Sequence, residues 1–338
     1  VAFNSYPASM MPDLKSLRYI TSPNHTISDS RNHHPGIDNR GPFLAMNPFS
    51  SRCCQHNHGQ GWPYYIEHLV LASPDNGIAI AMYGPCTANV TVADGKEVKI
   101  VEETNYPFEE SVKFTIQTNG KVTFPLYLRI PTWTENPSIS VNGVKLQILM
   151  ENGKYARIEK EWQNGDEVVF DFPMKLSQSV WQGNQDSRSI NYGPLTFSLK
   201  IKENYEKVSS IETAIGDSKW QKDADQEKWP SYEIYPGSDW NYALEIDESL
   251  PLEKNFKVVK TTWPADNYPF TTESAPIQII AKGKRVKGWE IDQYGLTAEL
   301  PIKEEIKFEK ESEAITLIPM GAARLRISAF PVYLKNVE

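Results

Sequence analysis

After His68 the chain contains no histidine. All six, His25, His33, His34, His56, His58 and His68, lie in the first fifth of the 338 residues, together with two of the three cysteines. Three cysteines are too few for a disulfide framework, and Cys86 stands alone. No apolar run approaches the length of a membrane span, so no membrane association is expected. No Lys/Arg-rich run interleaves with aromatics, and the 35 basic and 43 acidic residues leave a net charge of -8. That balance argues against a nucleic-acid partner. Several catalytic signatures are also missing: a Gly-rich phosphate loop between strand and helix, a Gly-x-Ser-x-Gly elbow and a His-Glu-x-x-His pair. The chain opens on Val1-Ala2-Phe3-Asn4 with no leader pattern. It is expected to be part of a longer protein whose upstream portion is missing.

What is present is an ordinary globular composition, 40% apolar and 23% charged, with 9 Trp and 16 Tyr. Aromatic faces suit the C–H surfaces of sugars, but they also serve β proteins as core and cross-strand pairs. Residues 1–62 show almost no periodicity and read as a loop-rich segment. One helix is predicted from Pro63, with Tyr65, Ile66, Leu69 and Val70 as its apolar stripe and His68 packed on it. Pro74 and the turn Asp75-Asn76-Gly77 end it.

From Gly77 the period becomes that of strands. Such runs include Ile78–Tyr83, Val90–Val92, Val98–Val101, Val112–Ile116, Leu126–Ile130, Ile139–Val141 before an Asn142-Gly143 turn, and Val168–Phe172. Pro173–Gln185 reads as a boundary. A second series then follows at Ser189–Leu199, Trp240–Leu244, Ile277–Ile280, Leu296–Leu300, Ile315–Ile318 and Arg324–Ile327, interrupted by a charged excursion from Glu203 to Trp229. The expected fold is mainly β, with two β-sandwich (jelly-roll-like) domains over 77–178 and 179–338.

The sharpest local pattern is Arg52-Cys53-Cys54-Gln55-His56-Asn57-His58. Thiolates and imidazoles are the donors zinc prefers. Adjacent cysteines can reach one ion only where the backbone turns between them, as at a helix start. Bound zinc would deprotonate the thiols and could leave one as a nucleophile. Two other readings stand beside this one: a pair of small buried thiols, or a strained vicinal disulfide. His25, His33 and His34 read as hydrogen-bonding loop residues. The carboxylates before residue 76, Asp13, Asp29, Asp38, Glu67 and Asp75, form no catalytic pattern.

At Cys53-Cys54-x-x-Asn57 the chain resembles glycoside hydrolase family 127, which includes β-L-arabinofuranosidases. Weaker similarities lie in Gly77–Tyr83, Leu126–Trp133, Val141-Asn142-Gly143, Tyr192-Gly193-Pro194-Leu195 and Leu317-Ile318-Pro319. The resemblance implies that residues 1–76 are the end of an (α/α)6 barrel, with its last helix. It implies a retaining glycosidase in the periplasm or outside the cell, acting on an oligosaccharide or polysaccharide that contains arabinose or a related plant sugar. Cys53 would be the nucleophile, and Cys53 and Cys54 would bind zinc. The family's remaining ligands, in a Glu-x-Cys motif, and its acid/base Glu lie in the barrel portion. This chain has no Glu-x-Cys, so by itself it is expected to be inactive and metal-poor. The rival expectation is a non-catalytic module that binds carbohydrate or braces the barrel.

Overall fold

The computed structural model describes residues 2–18, 21–30, 44–47, 54–208, 225 and 227–335, apart from the side chains of residues 54–56 and 94. The protein is mainly β. It divides into two compact units, one of residues 60–175 and one of residues 1–59 with 176–338.

The unit of residues 60–175 holds two sheets. The first runs in the order Val144–Lys145, Ser138–Val141, Asp166–Asp171, Ser111–Thr118, Lys96–Glu103 and Cys86–Val92, antiparallel throughout. The second runs Tyr155–Trp162, Val122–Arg129, Ile78–Ile80 and Val70–Ala72. Alternation sets which face of each strand is buried. Val112, Phe114 and Ile116 alternate with half-exposed neighbours, and Val168 and Phe170 do the same on the partner strand. Val122, Phe124, Leu126 and Leu128 form the buried row of the second sheet. Two sheets with one buried face each are the arrangement of a sandwich. Tyr83 is fully buried among the rings of Tyr106, Phe114, Phe170 and Phe172, and its hydroxyl donates to the Arg129 carbonyl.

In the other unit a large sheet runs Leu176–Trp181, Ser187–Tyr192, Leu195–Leu199, Phe308–Pro319, Ile277–Val286, Tyr242–Ile246 and Val332–Leu334, with Lys257–Lys260 also paired to Ile277–Val286. A four-stranded sheet runs Leu17–Arg18, Ala45–Met46, Ser231–Pro236 and Glu203–Val208. The pair Asn24–His25 and Arg326–Ile327 forms a third.

Several sequence expectations are corrected. The leading segment carries a short helix, α1 (Ser5–Ser9), and three short strands that pair with one another or with strands beyond residue 230. These strands are too short to show a period, and two of them pair with strands far along the chain, at Ser231–Pro236 and Arg326–Ile327. The helix α2 spans Cys54–Glu67, so Pro63 is its tenth residue and not part of its first turn. Its early glycines and polar residues hide that start. Val70 leaves the helical stripe for the strand Val70–Ala72, which hairpins onto Ile78–Ile80. At the end of that turn a Cβ on Gly77 would come within 2.2 Å of the Pro125 carbonyl oxygen, so only glycine fits. His68 lies just past α2 and is exposed, with Nδ1 2.7 Å from the Tyr64 carbonyl oxygen. The excursion at Glu203 begins as a strand, Glu203–Val208. Leu296–Leu300 forms no named strand: the Asp292 carboxylate accepts from the Tyr294 and Leu296 amides and turns the chain there. No helix among the described residues is long and apolar enough to cross a membrane.

Candidate functional site

Cys53 lies outside the described residues, and so does the side chain of Cys54. The backbone around them is informative. α2 begins at Cys54. One turn later His58 is 9% exposed. Its ring stacks on Tyr6 with centroids 4.0 Å apart and planes 6° apart. Its Nε2 sits 3.1 Å from the Tyr6 carbonyl oxygen. A carbonyl can only accept, so Nε2 carries the proton and Nδ1 is left as the acceptor. The Tyr6 hydroxyl in turn donates to the His58 carbonyl. Burial pulls the His58 pKa down, against the raising effect of the Tyr6 carbonyl. The first turns of α2 are therefore held by a ring stack and reciprocal hydrogen bonds. Helix propensity would not hold them, with Gly59, Gly61 and Pro63 inside the helix. In the second half of α2 the Tyr65 hydroxyl donates 2.8 Å to the Tyr83 carbonyl, while Tyr64 and Ile66 stay exposed.

His25 is buried in the Asn24–His25 strand, and His33 and His34 lie outside the described residues. Among the described residues no three of His, Cys, Asp and Glu come together as a metal-binding group. The described side chains thus do not build a zinc site by themselves.

Cys86 is no substitute nucleophile. It faces Glu102 across an antiparallel pair, and its thiol donates to that carboxyl over 3.7 Å. Burial and Glu102 push the thiol up to about 12, so the thiolate is suppressed. Glu102 is itself 2% exposed, and burial raises it to about 8 despite hydrogen bonds from the Gly84 amide at 2.9 Å and from Cys86. The folded chain therefore holds a proton here that the unfolded chain has released above its ordinary pKa of 4.5. Stability falls as pH rises between those two values and levels off above the folded one. Glu102→Gln keeps the neutral shape and the bond from Gly84. Urea midpoints at about pH 5 and about pH 8 should show a smaller loss in the variant than in the parent. Equal losses would count against a buried neutral carboxyl.

A concavity of about 500 Å³ lies in the unit of residues 1–59 and 176–338. Trp181, Asn184 and Glu299 contribute polar and aromatic surface, and Pro23, Leu300 and Met320 line it with apolar groups. Trp181 is 50% exposed, yet its indole N–H donates 2.8 Å to Ser189 Oγ, which donates 2.7 Å to the Ser328 carbonyl. Sequence reasoning valued the tryptophans only as a group. The signal it could have used is Trp181 at a strand end beside Gly183-Asn184.

Comparison with known proteins places the fold among glycoside hydrolases. One such structure is 19% identical with a TM-score of 0.64, covering 98% of this chain and 47% of its own. More narrowly, the chain resembles glycoside hydrolase family 127. Residues 77–174 match the model described as the GH127 middle domain of β-L-arabinofuranosidase. A GH127 β-L-arabinofuranosidase from Geobacillus stearothermophilus T6 is 21% identical with a TM-score of 0.61, covering 97% of this chain and 44% of its own. A further GH127 β-arabinofuranosidase is 17% identical with a TM-score of 0.60, covering 98% and 44%. No curated protein matches. The chain spans less than half the length of these relatives.

Proposed function

We propose that this chain is the C-terminal part of a retaining glycoside hydrolase that acts, in the periplasm or outside the cell, on arabinose-containing or related plant glycans. The observation that carries the reading is the GH127 middle-domain match over 77–174, with Cys53-Cys54-x-x-Asn57 ahead of it in the sequence and α2 beginning at Cys54. A helix N-terminus favours a thiolate, which the reaction needs.

In the proposed reaction the Cys53 thiolate attacks the anomeric carbon and the glycosidic C–O bond breaks. A carboxylic acid from outside this chain protonates the leaving oxygen. Water then attacks the same carbon of the S-glycosyl intermediate, loses its proton to that carboxylate and restores the thiolate. Two inversions return the original configuration. The resemblance also implies zinc on Cys53 and Cys54, with its other donors outside this chain.

The test is the full-length enzyme, assayed on aryl β-L-arabinofuranosides with its metal content measured. Hydrolysis, bound zinc and no hydrolysis by residues 1–338 alone are expected. Failure to cleave any arabinofuranoside would overturn the substrate class. Full activity after zinc is stripped would overturn the metal.

A further inference from the structure

The chemistry of the Trp181 concavity is that of a sugar seat. Trp181 ends the edge strand Leu176–Trp181, opposite Ser187. A half-exposed indole forgoes much of the stabilisation that full burial would bring. This one is nevertheless held in place by the chain Trp181 to Ser189 to Ser328. A ring already fixed loses little rotamer freedom when a ligand covers it. Its face is apolar and flat, which matches the C–H face of a sugar ring.

The rest of the wall matches the hydroxyl rim. The Glu299 carboxylate is exposed and makes no hydrogen bond or ion pair with the described residues. The Asn184 amide donates 3.0 Å to Ser187 Oγ, which leaves its oxygen as an acceptor. Acceptors beside an aromatic face, one of them tied to Ser187, read a donor-rich, uncharged ligand. No lysine, arginine or histidine is among the described lining residues, so a phosphate, sulfate or uronate would meet a carboxylate and no cation. The volume of about 500 Å³ falls in the usual range of small-molecule pockets.

We propose that this concavity is a non-catalytic subsite for a neutral saccharide, which holds a glycan chain while another part of it is cleaved. The choice of a saccharide rests in part on the glycosidase reading above.

The test is calorimetric titration of the 338-residue chain with arabinobiose and xylobiose, and with choline as a cationic probe of the same aromatic face. Saccharide binding is expected, weakened about tenfold or more by Trp181→Ala and less by Trp181→Phe. Glu299→Gln keeps an acceptor and should retain binding within a few-fold. Near-ultraviolet circular dichroism checks that each variant is folded. Binding of choline alone, binding of nothing, or saccharide binding indifferent to Trp181→Ala would each overturn the proposal. The readout needs no turnover. An inactive full-length enzyme whose 338-residue portion still binds sugar through Trp181 would sink the glycosidase reading and leave the subsite standing.

Discussion

Arg324→Met is expected to destabilise the larger unit by about 4 kcal/mol or more, read as a lower urea midpoint. Arg324 is fully buried. Its Nε donates 2.7 Å to the Met10 carbonyl, its Nη1 donates to the carbonyls of Ala322 and Phe270, and its Nη2 donates 3.2 Å to the Tyr268 hydroxyl. One guanidinium thus ties three distant stretches of chain. Methionine fills much of the volume but takes the donor from three carbonyls, one in a buried bond and two in part-buried ones, each worth about 1–3 kcal/mol. Arg18 supplies the contrast. It is also buried, but among the described residues only its Nη2 is used, on the Ala8 carbonyl at 2.9 Å, while Nε and Nη1 find no partner there. Burial lowers its pKa to about 10, and Arg324 adds repulsion that Glu203 opposes. Replacing such an underused buried cation by an apolar side chain is often neutral or stabilising. Arg18→Met should therefore lose less than about 1 kcal/mol or gain stability. Equal losses for the two variants would show that both act only as packing volume.

Cys53→Ala in the full-length enzyme is expected to lower kcat/KM on an arabinofuranoside by about a thousandfold or more. No S-glycosyl intermediate could then form, so mass spectrometry of quenched enzyme should show a pentose adduct on the peptide containing Cys53 in the parent and none in the variant. The melting temperature should stay near that of the parent if His58 and Tyr6, rather than the thiol, hold the start of α2. Activity within tenfold of the parent would remove Cys53 from the role of nucleophile. A collapse of the fold would instead assign the pair a structural part, the buried-thiol alternative.

Where one face of a strand is buried, the period alone located it. Val112–Ile116 falls within a strand, and Leu126–Ile130 and Val168–Phe172 each overrun theirs by one residue; the buried residues are those the alternation marks. The Asn142-Gly143 turn was equally legible, because both residues take positive φ there. The run Arg324–Ile327 shows where that logic stops. Alternation would put its arginines outward, yet Arg324, Leu325, Arg326 and Ile327 are all buried. Arg326 reaches the carbonyls of Ser22 and Ala323, and Arg324 reaches Met10 and Phe270. Apart from the neighbouring Ala323, those acceptors come from segments outside the named strands that no local pattern connects to residue 324.

The same division applies to function. The family resemblance and the mainly β class came from residue order, because a short motif and a period of two are properties of neighbours in the chain. The sequence by itself could not separate the roles of the histidines and cysteines. The fold stacked His58 on Tyr6, set Cys86 against Glu102 and left His68 in solvent. It also fixed Trp181 through Ser189 and Ser328 at the rim of a pocket. Each of these depends on the distance between groups far apart in sequence, which only the tertiary structure sets.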